Sequence, residues 1–270
     1  MEYSRSLGEV STKLINELTR KNLNIFSIED AANILNKEKT RVRKLLYDLT
    51  KRGWIQRVKE NLYILLPISA DAGKLFTEHQ LIIASKLISP YYIGFWTMLN
   101  YYGYTEQLIN TVFIASPKQK RELSIQGVVY KFITLPEYKM FGFEQISLDS
   151  KPILVSDKEK TIVDCLDHPE YCGGIIEASK GIWNAQKEID FIKLLEYCKK
   201  IRNSTVSKRL GFILETINNK DKDLLGELEK LVKQGFSVLD PLLPKKGRYI
   251  TKWNLLVNIS ENDLWTWRKT

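Results

Sequence analysis

Val42, Leu45, Leu46 and Leu49 fall at i, i+3, i+4 and i+7, a spacing that a helix gathers onto one side, and Gly53 follows as a stop signal. The chain then reads Trp54-Ile55-Gln56-Arg57-Val58, Lys59-Glu60-Asn61 and Leu62-Tyr63-Ile64-Leu65, two strand-like runs about a short turn, closed by Pro67. Two further helices come first. Residues 10–22 place Val10, Leu14, Ile15 and Leu18 on one face. Residues 28–36 follow Ser27, which can cap them with Asp30 at the capping-box position, and Asn36 ends that helix or caps the next. Three helices and a hairpin within residues 1–68 give the outline of a winged helix-turn-helix.

The third helix and the hairpin are strongly basic. Lys37, Lys39, Arg41, Arg43, Lys44, Lys51, Arg52, Arg57 and Lys59 lie between residues 37 and 59, opposed there by Glu38 and Asp48. With the apolar stripe inward, Lys39, Thr40, Arg43, Lys44 and Tyr47 project outward. A recognition helix enters the major groove with its N-terminal residues nearest the base edges. Thr40 and Arg43 are therefore the candidates for base contact, Arg because it bridges the two acceptors of guanine, with Tyr47 beside them. Lys37, Lys44 and Lys51, with Arg57 and Lys59 on the wing, suit phosphates. The competing reading is a solvated helix face kept soluble by lysine. The order of capped helix, short turn, basic helix and basic hairpin favours double-stranded DNA. A formal charge of +9 agrees with an anionic partner without identifying one.

Beyond this module, residues 74–270 read as a larger mixed α/β domain, so the expected class is α+β. The boundary falls near residues 67–73. A helix is expected at 74–88, then an aromatic-rich helix from Ser89 that stops at Gly103. Strand-like runs at 110–115, 128–135 and 152–155 make residues 108–155 strand-rich. Helices at 157–167, 174–184, 189–201, 205–218 and 222–234 make 156–240 helix-rich, and RYITKWNLLVNIS closes the chain in strand-like fashion. No apolar run reaches the length of a membrane span, and the start lacks the apolar core of a secretory signal, so a cytoplasmic protein without a membrane partner is expected.

Catalytic and metal chemistry find little support. Glu137-Tyr138-Lys139 has the Glu-x-Lys spacing of a nuclease, but upstream only Glu122 offers a partner carboxylate. Cys165, His168, Cys172 and Cys198 match no usual zinc spacing, and buried free cysteines are common. Ser156 and Glu159 have capping-box spacing, and Asp164 can pair with Lys160 along the same helix. Asp164 is also a candidate for a fold-locking hydrogen bond near Gly173-Gly174. His79 reads as a core or boundary residue, and Gly211 as a point of close backbone packing. The expectation is a non-catalytic protein without cofactor or metal. Three basic clusters, Lys199-Lys200-Arg202, Lys208-Arg209 and Lys245-Lys246-Arg248, are solvated faces or a partner-facing surface.

The stretch FSIEDAANILN…VRKLLYDLTKRGWIQRVKENLYILLP resembles the winged helix of the AbiEi-type antitoxins of type IV toxin–antitoxin systems and their stand-alone regulator relatives. YYIGFWTMLNYYGYTEQLINTVFIAS is similar to a family segment in which Tyr102 stands where histidine is common and Tyr104 where leucine is, with Gly103, Thr105, Glu106 and Gln107 kept. VSDKEKTIVDCLDHPEYCGG, SKRLGFILE and KWNLLVN resemble later signatures in order. The resemblance implies a winged helix that represses its own operon, and a larger domain that neutralises a nucleotidyltransferase-like toxin. Some relatives have no toxin, which leaves a free-standing regulator as the alternative. A homodimer on DNA is the expected assembly.

Overall fold

A computed structural model describes residues 7–66, 78–219 and 221–269. Two compact units divide the chain: residues up to Leu87 with Ser124–Val128, and Ile88–Leu123 with Val129 onward. The expected boundary at 67–73, Pro67 and the first part of the 74–88 helix lie outside the described residues.

In the first unit, α1 (Glu9–Arg20), α2 (Ile28–Leu35) and α3 (Lys39–Lys51) surround one apolar core. Leu14, Leu18 and Leu46 are fully buried, and each such leucine contributes about 1.5–3 kcal/mol by leaving water. Val10 is exposed and Ser11 takes its place on the inner face of α1. On α3 the buried positions are Val42, Leu46 and Leu49, while Leu45 is half-buried at the edge of the core. The Ser27 hydroxyl accepts from Asp30 N at 3.1 Å and the Asp30 carboxylate accepts from Ser27 N at 2.7 Å, so both halves of the capping box form. Asn36, in the left-handed region, ends α2. Gly53 at φ 70° lets the chain turn from α3 into β2 (Ile55–Lys59), where a side chain would be strained. β2 pairs antiparallel with β3 (Leu62–Leu65), whose other edge takes β1 (Ile25–Ser27), a strand the sequence pattern did not mark. The sheet order is thus β1-β3-β2. α4 (Gln80–Ser85) completes this unit. His79, expected as a core or boundary residue, is exposed and caps this helix by accepting from Leu81 N through Nδ1 at 3.2 Å.

The second unit begins at β4 (Tyr92–Ile93) and α5 (Trp96–Tyr101), where a single helix was expected. The strands β5 (Thr111–Ser116), β6 (Leu123–Ile125), β7 (Val128–Thr134), β8 (Phe143–Leu148) and β9 (Lys151–Ser156) follow in sequence, Ser124–Val128 counting with the first unit, and the mixed sheet has the order β6-β7-β5-β4-β9-β8. Next come α6 (Lys158–Asp167), α7 (Gly174–Ala185), α8 (Phe191–Lys200), α9 (Ser204–Thr216) and α10 (Lys222–Lys230). Their starts are set by side chains that satisfy first-turn N–H groups: Asp190 accepts from Ile192 N at 2.9 Å, Asn203 from Thr205 N at 3.1 Å and Asp221 from Leu224 N at 2.9 Å. The chain closes with β10 (Ser237–Val238), β11 (Arg248–Ile250), β12 (Leu255–Val257) and the short α11 (Glu261–Leu264). β12 runs parallel to β10 and antiparallel to β11. The mixture of helices with separate sheets fits the α+β class. No described helix is long and apolar enough to cross a membrane.

Candidate nucleic-acid interface

A helix advances about 100° per residue, so Thr40, Lys44, Tyr47 and Lys51 form a line opposite Val42, Leu46 and Leu49. All four are exposed, with Arg41 and Arg43, also exposed, on the two flanks. Tyr47 is 58% exposed, and the Lys51 ammonium stands 4.5 Å from its ring centroid. A side-chain hydrogen bond with Tyr47 also raises the Lys51 pKa above its ordinary value. Lys37 is exposed ahead of the helix. Lys39 is exposed but forms an ion pair with Glu29 of α2, ten residues back, which no local spacing announces. No side chain caps the α3 N-terminus.

On the hairpin, Arg57 is exposed and its Nε makes a long 3.4 Å contact with Lys59 O. Lys59 lies in β2 rather than in the turn, and its ammonium donates to Leu87 O at 3.3 Å. Partial burial there lowers its pKa. Eight of the ten predicted DNA-facing side chains are therefore gathered on α3 and its approach, while Arg57 and Lys59 lie on β2, where each contacts a backbone carbonyl.

The three C-terminal basic clusters separate into different things. Lys208 and Arg209 are 2% and 5% exposed and do not form a partner-facing surface. Arg209 donates to Leu239 O at 3.0 Å, Leu166 O at 2.6 Å and Val238 O at 3.0 Å. Burial lowers its pKa to about 10. Lys208 donates to Gly235 O at 2.5 Å and its pKa is likewise lowered by burial. The pair faces inward because α9 is buried along most of its length and polar tips there must find carbonyls. Lys199, Lys200, Arg202, Lys245, Lys246 and Arg248 are exposed. Lys199 pairs with Glu227 at 3.6 Å and Arg248 with Glu261 at 3.4 Å, while Lys200 and Arg202 lie over the rings of Phe141 and Tyr138 at 4.5 and 5.2 Å.

Several of the residues with catalytic or metal-binding chemistry make contacts within the fold. Lys139 pairs at 2.6 Å with Asp167, a carboxylate that the Glu-x-Lys reading did not include, and Glu137 is exposed on a short 3-10 turn. Asp157, not Ser156, caps α6, accepting from Lys160 N at 2.7 Å; Ser156 and Thr161 share a hydroxyl bond at 2.7 Å. Glu159 turns instead to Asp190 N at 2.8 Å and Lys193 at 2.9 Å. Lys160 and Asp164 form the expected i,i+4 ion pair at 0% and 1% exposure, and Tyr92 bridges them, accepting from Lys160 and donating to Asp164 at 2.8 Å each. Burial pushes the Asp164 carboxyl up, against the pull of Lys160 and Tyr92. The fold-locking contact at the glycines is made by Asp240, which accepts from Ile175 N at 3.0 Å. Cys165, Cys172 and Cys198 are free and buried, with thiol pKa values raised by burial, that of Cys198 to about 12. Among the described residues no three His, Cys, Asp or Glu side chains are grouped to hold a metal.

No protein-family model and no curated protein matches the sequence. Among solved structures, the crystal structure of the RV2827C protein from Mycobacterium tuberculosis is similar, with a TM-score of 0.61 at 11% identity over 93% of this chain and 92% of that one. At that identity the likeness is one of fold alone.

Proposed function

We propose that the chain is a double-stranded-DNA-binding transcriptional regulator of the AbiEi antitoxin type, acting through a winged helix-turn-helix with α3 as recognition helix and β2–β3 as wing. The observation that carries this reading is the solvent-facing line Thr40-Lys44-Tyr47-Lys51, flanked by Arg41 and Arg43 and lying opposite the buried side of α3. An ordinary solvated helix interleaves charges of both signs. This face carries cations and an exposed aromatic ring, a combination suited to phosphates and base edges. Arg43 and Thr40 read bases, Tyr47 packs beside them, and Lys37, Lys44, Lys51 and Arg57 meet phosphates.

The test is fluorescence anisotropy with DNA from upstream of the chain's own gene. Arg43→Glu with Lys44→Glu is expected to lower affinity by at least about a hundredfold, since two phosphate or base contacts are lost and two repulsions added. Undiminished binding by that variant would sink the assignment of α3. The antitoxin role rests on the resemblance of the later segments. It predicts that the same double variant, unable to repress, still rescues cells arrested by a nucleotidyltransferase-like toxin encoded next to it. Absence of such a neighbouring gene would favour a free-standing regulator.

A further inference from the structure

The six-stranded sheet has two edges of opposite character. β6 is three residues long and follows the charged run Lys118–Glu122, both features that discourage edge pairing. β8 is six residues long, reads FEQISL, contains neither proline nor lysine, and is in register with β9 along its whole length. Its single charge is Glu144, and Phe143 is 39% exposed.

Register and one bond fix which backbone groups of β8 face away from β9. Asp157 N donates to Gly142 O at 2.9 Å, and Phe143 lies opposite Ser156, so residues 142 and 157 make a hydrogen-bonded pair of the ladder. The alternation of an antiparallel ladder then turns Glu144, Ile146 and Leu148 toward β9. Leu154, opposite Gln145, agrees: its N–H turns away from β8 and donates to the Tyr91 hydroxyl at 3.2 Å. Phe143, Gln145 and Ser147 therefore direct their N–H and C=O out of the sheet, and among the described residues nothing is hydrogen-bonded to those groups.

We propose that β8 is a dimerisation edge, on which two copies of this chain pair β8 to β8 antiparallel about a two-fold axis through Gln145. A second copy is the occupant because the strand is complementary to its own reverse. Centred on Gln145, Phe143 pairs with Ser147 of the other copy and Gln145 with itself, so every outward backbone group of these residues finds a partner. Glu144 falls opposite Ile146 and never meets its own charge. The two Gln145 carboxamides meet at the axis, each with a donor and an acceptor for the other. The union makes one sheet continuous through both copies. Six residues of strand bury well under the roughly 1,200 Å² of a stable interface, so the free dimer is weak and concentration-dependent. On the DNA-binding reading, an operator with inverted half-sites strengthens it by holding two copies together.

The experiment is sedimentation velocity of the full chain without DNA, together with oxidative cross-linking, so that failure of the DNA reading leaves the result unmoved. Paired residues at a hydrogen-bonded antiparallel site have Cα atoms about 5.5 Å apart, within disulfide range. Gln145→Cys is expected to form a covalent dimer with copper phenanthroline, because the chain's own cysteines are buried. Asp149→Cys, in the turn beyond the paired strand, is expected to give none. Gln145→Lys places like charges at the axis and is expected to weaken the dimer by at least about tenfold, while circular dichroism and thermal melting stay those of the wild type. A wild-type chain that remains monomeric to millimolar concentration overturns the proposal. So does a dimer that ignores Gln145→Lys or cross-links equally through Asp149→Cys, and so does a monomer that instead takes up a foreign strand.

Discussion

A methyl group at Gly211 would stand 2.1 Å from the Trp253 ring, closer than any real contact allows. Trp253 is fully buried there, and its indole N–H donates to Glu215 at 2.7 Å, so the ring has no direction in which to yield. Gly211→Ala is expected to destabilise the protein by at least about 1–3 kcal/mol, read as a lower urea midpoint. The Lys160–Asp164 pair behaves differently under substitution. Asp164→Ala strands a buried ammonium and is expected to cost about 3–5 kcal/mol, whereas the double change Lys160→Met with Asp164→Leu costs less than the sum of the single changes; additive losses would show the two residues uncoupled. The thiols give a simpler test. Ellman's reagent should find none of the three cysteines in the native protein and all of them after denaturation. At this scale two partners lying within about one helical turn were readable, while the expected pairing of Ser156 with Glu159 did not form. Ser27 with Asp30 and Lys160 with Asp164 were expected and formed. Lys208 and Arg209 look like any exposed basic pair, because the carbonyls they serve arrive from residues 166 and 235–239.

Among the elements, the amphipathic helices were legible because periodicity and caps both mark them. α2 depends on its cap, and Ser27→Ala is expected to remove about 1 kcal/mol, measured by chemical denaturation of the full chain. β4 was hidden inside an aromatic run with helical character. It is two residues long and exists because β5 and β9 flank it, a tertiary cause with no local signature. Phe95, at φ 57°, marks the sharp change from that strand to α5. β8 escaped notice for a related reason: its residues are mostly exposed and only its pairing with β9 defines it. The cap of α6 shifted by one residue, from Ser156 to Asp157, because Ser156 still belongs to β9 and its hydroxyl is taken by Thr161. For the proposed interface, periodicity correctly turned Thr40, Arg43, Lys44 and Tyr47 outward. Spacing had no means of showing that Lys39 pairs with Glu29 or that Lys59 reaches Leu87.

For the whole molecule, a charge of +9 is informative only through its distribution. Two of the C-terminal cations are internal and others are paired, while the α3 face keeps its cations in solvent. If that face is the DNA contact, affinity should fall linearly on a log–log plot against salt, and Lys44→Ala should reduce the steepness of that slope by about 1. A slope unchanged by Lys44→Ala would move the phosphate contact elsewhere. The sequence puts a boundary near residues 67–73, outside the described residues; the first compact unit extends through Leu87 and takes in Ser124–Val128, which no composition shift reveals.

Arg209 also bears on how the chain is made. Its guanidinium is buried among carbonyls from α6, 43 residues earlier in the chain, and from the segment around β10, 29 and 30 residues later. A nascent chain that has completed α9 but not yet released residues 238 and 239 from the ribosome has only one of these acceptors to offer. Until the others emerge, the cation must stay in water and α9 cannot settle fully into its buried position. The helical half of the second unit therefore closes late in synthesis. A product that terminates prematurely before residue 238 exposes the side of α9 that the finished protein conceals, and becomes a substrate for quality-control proteases.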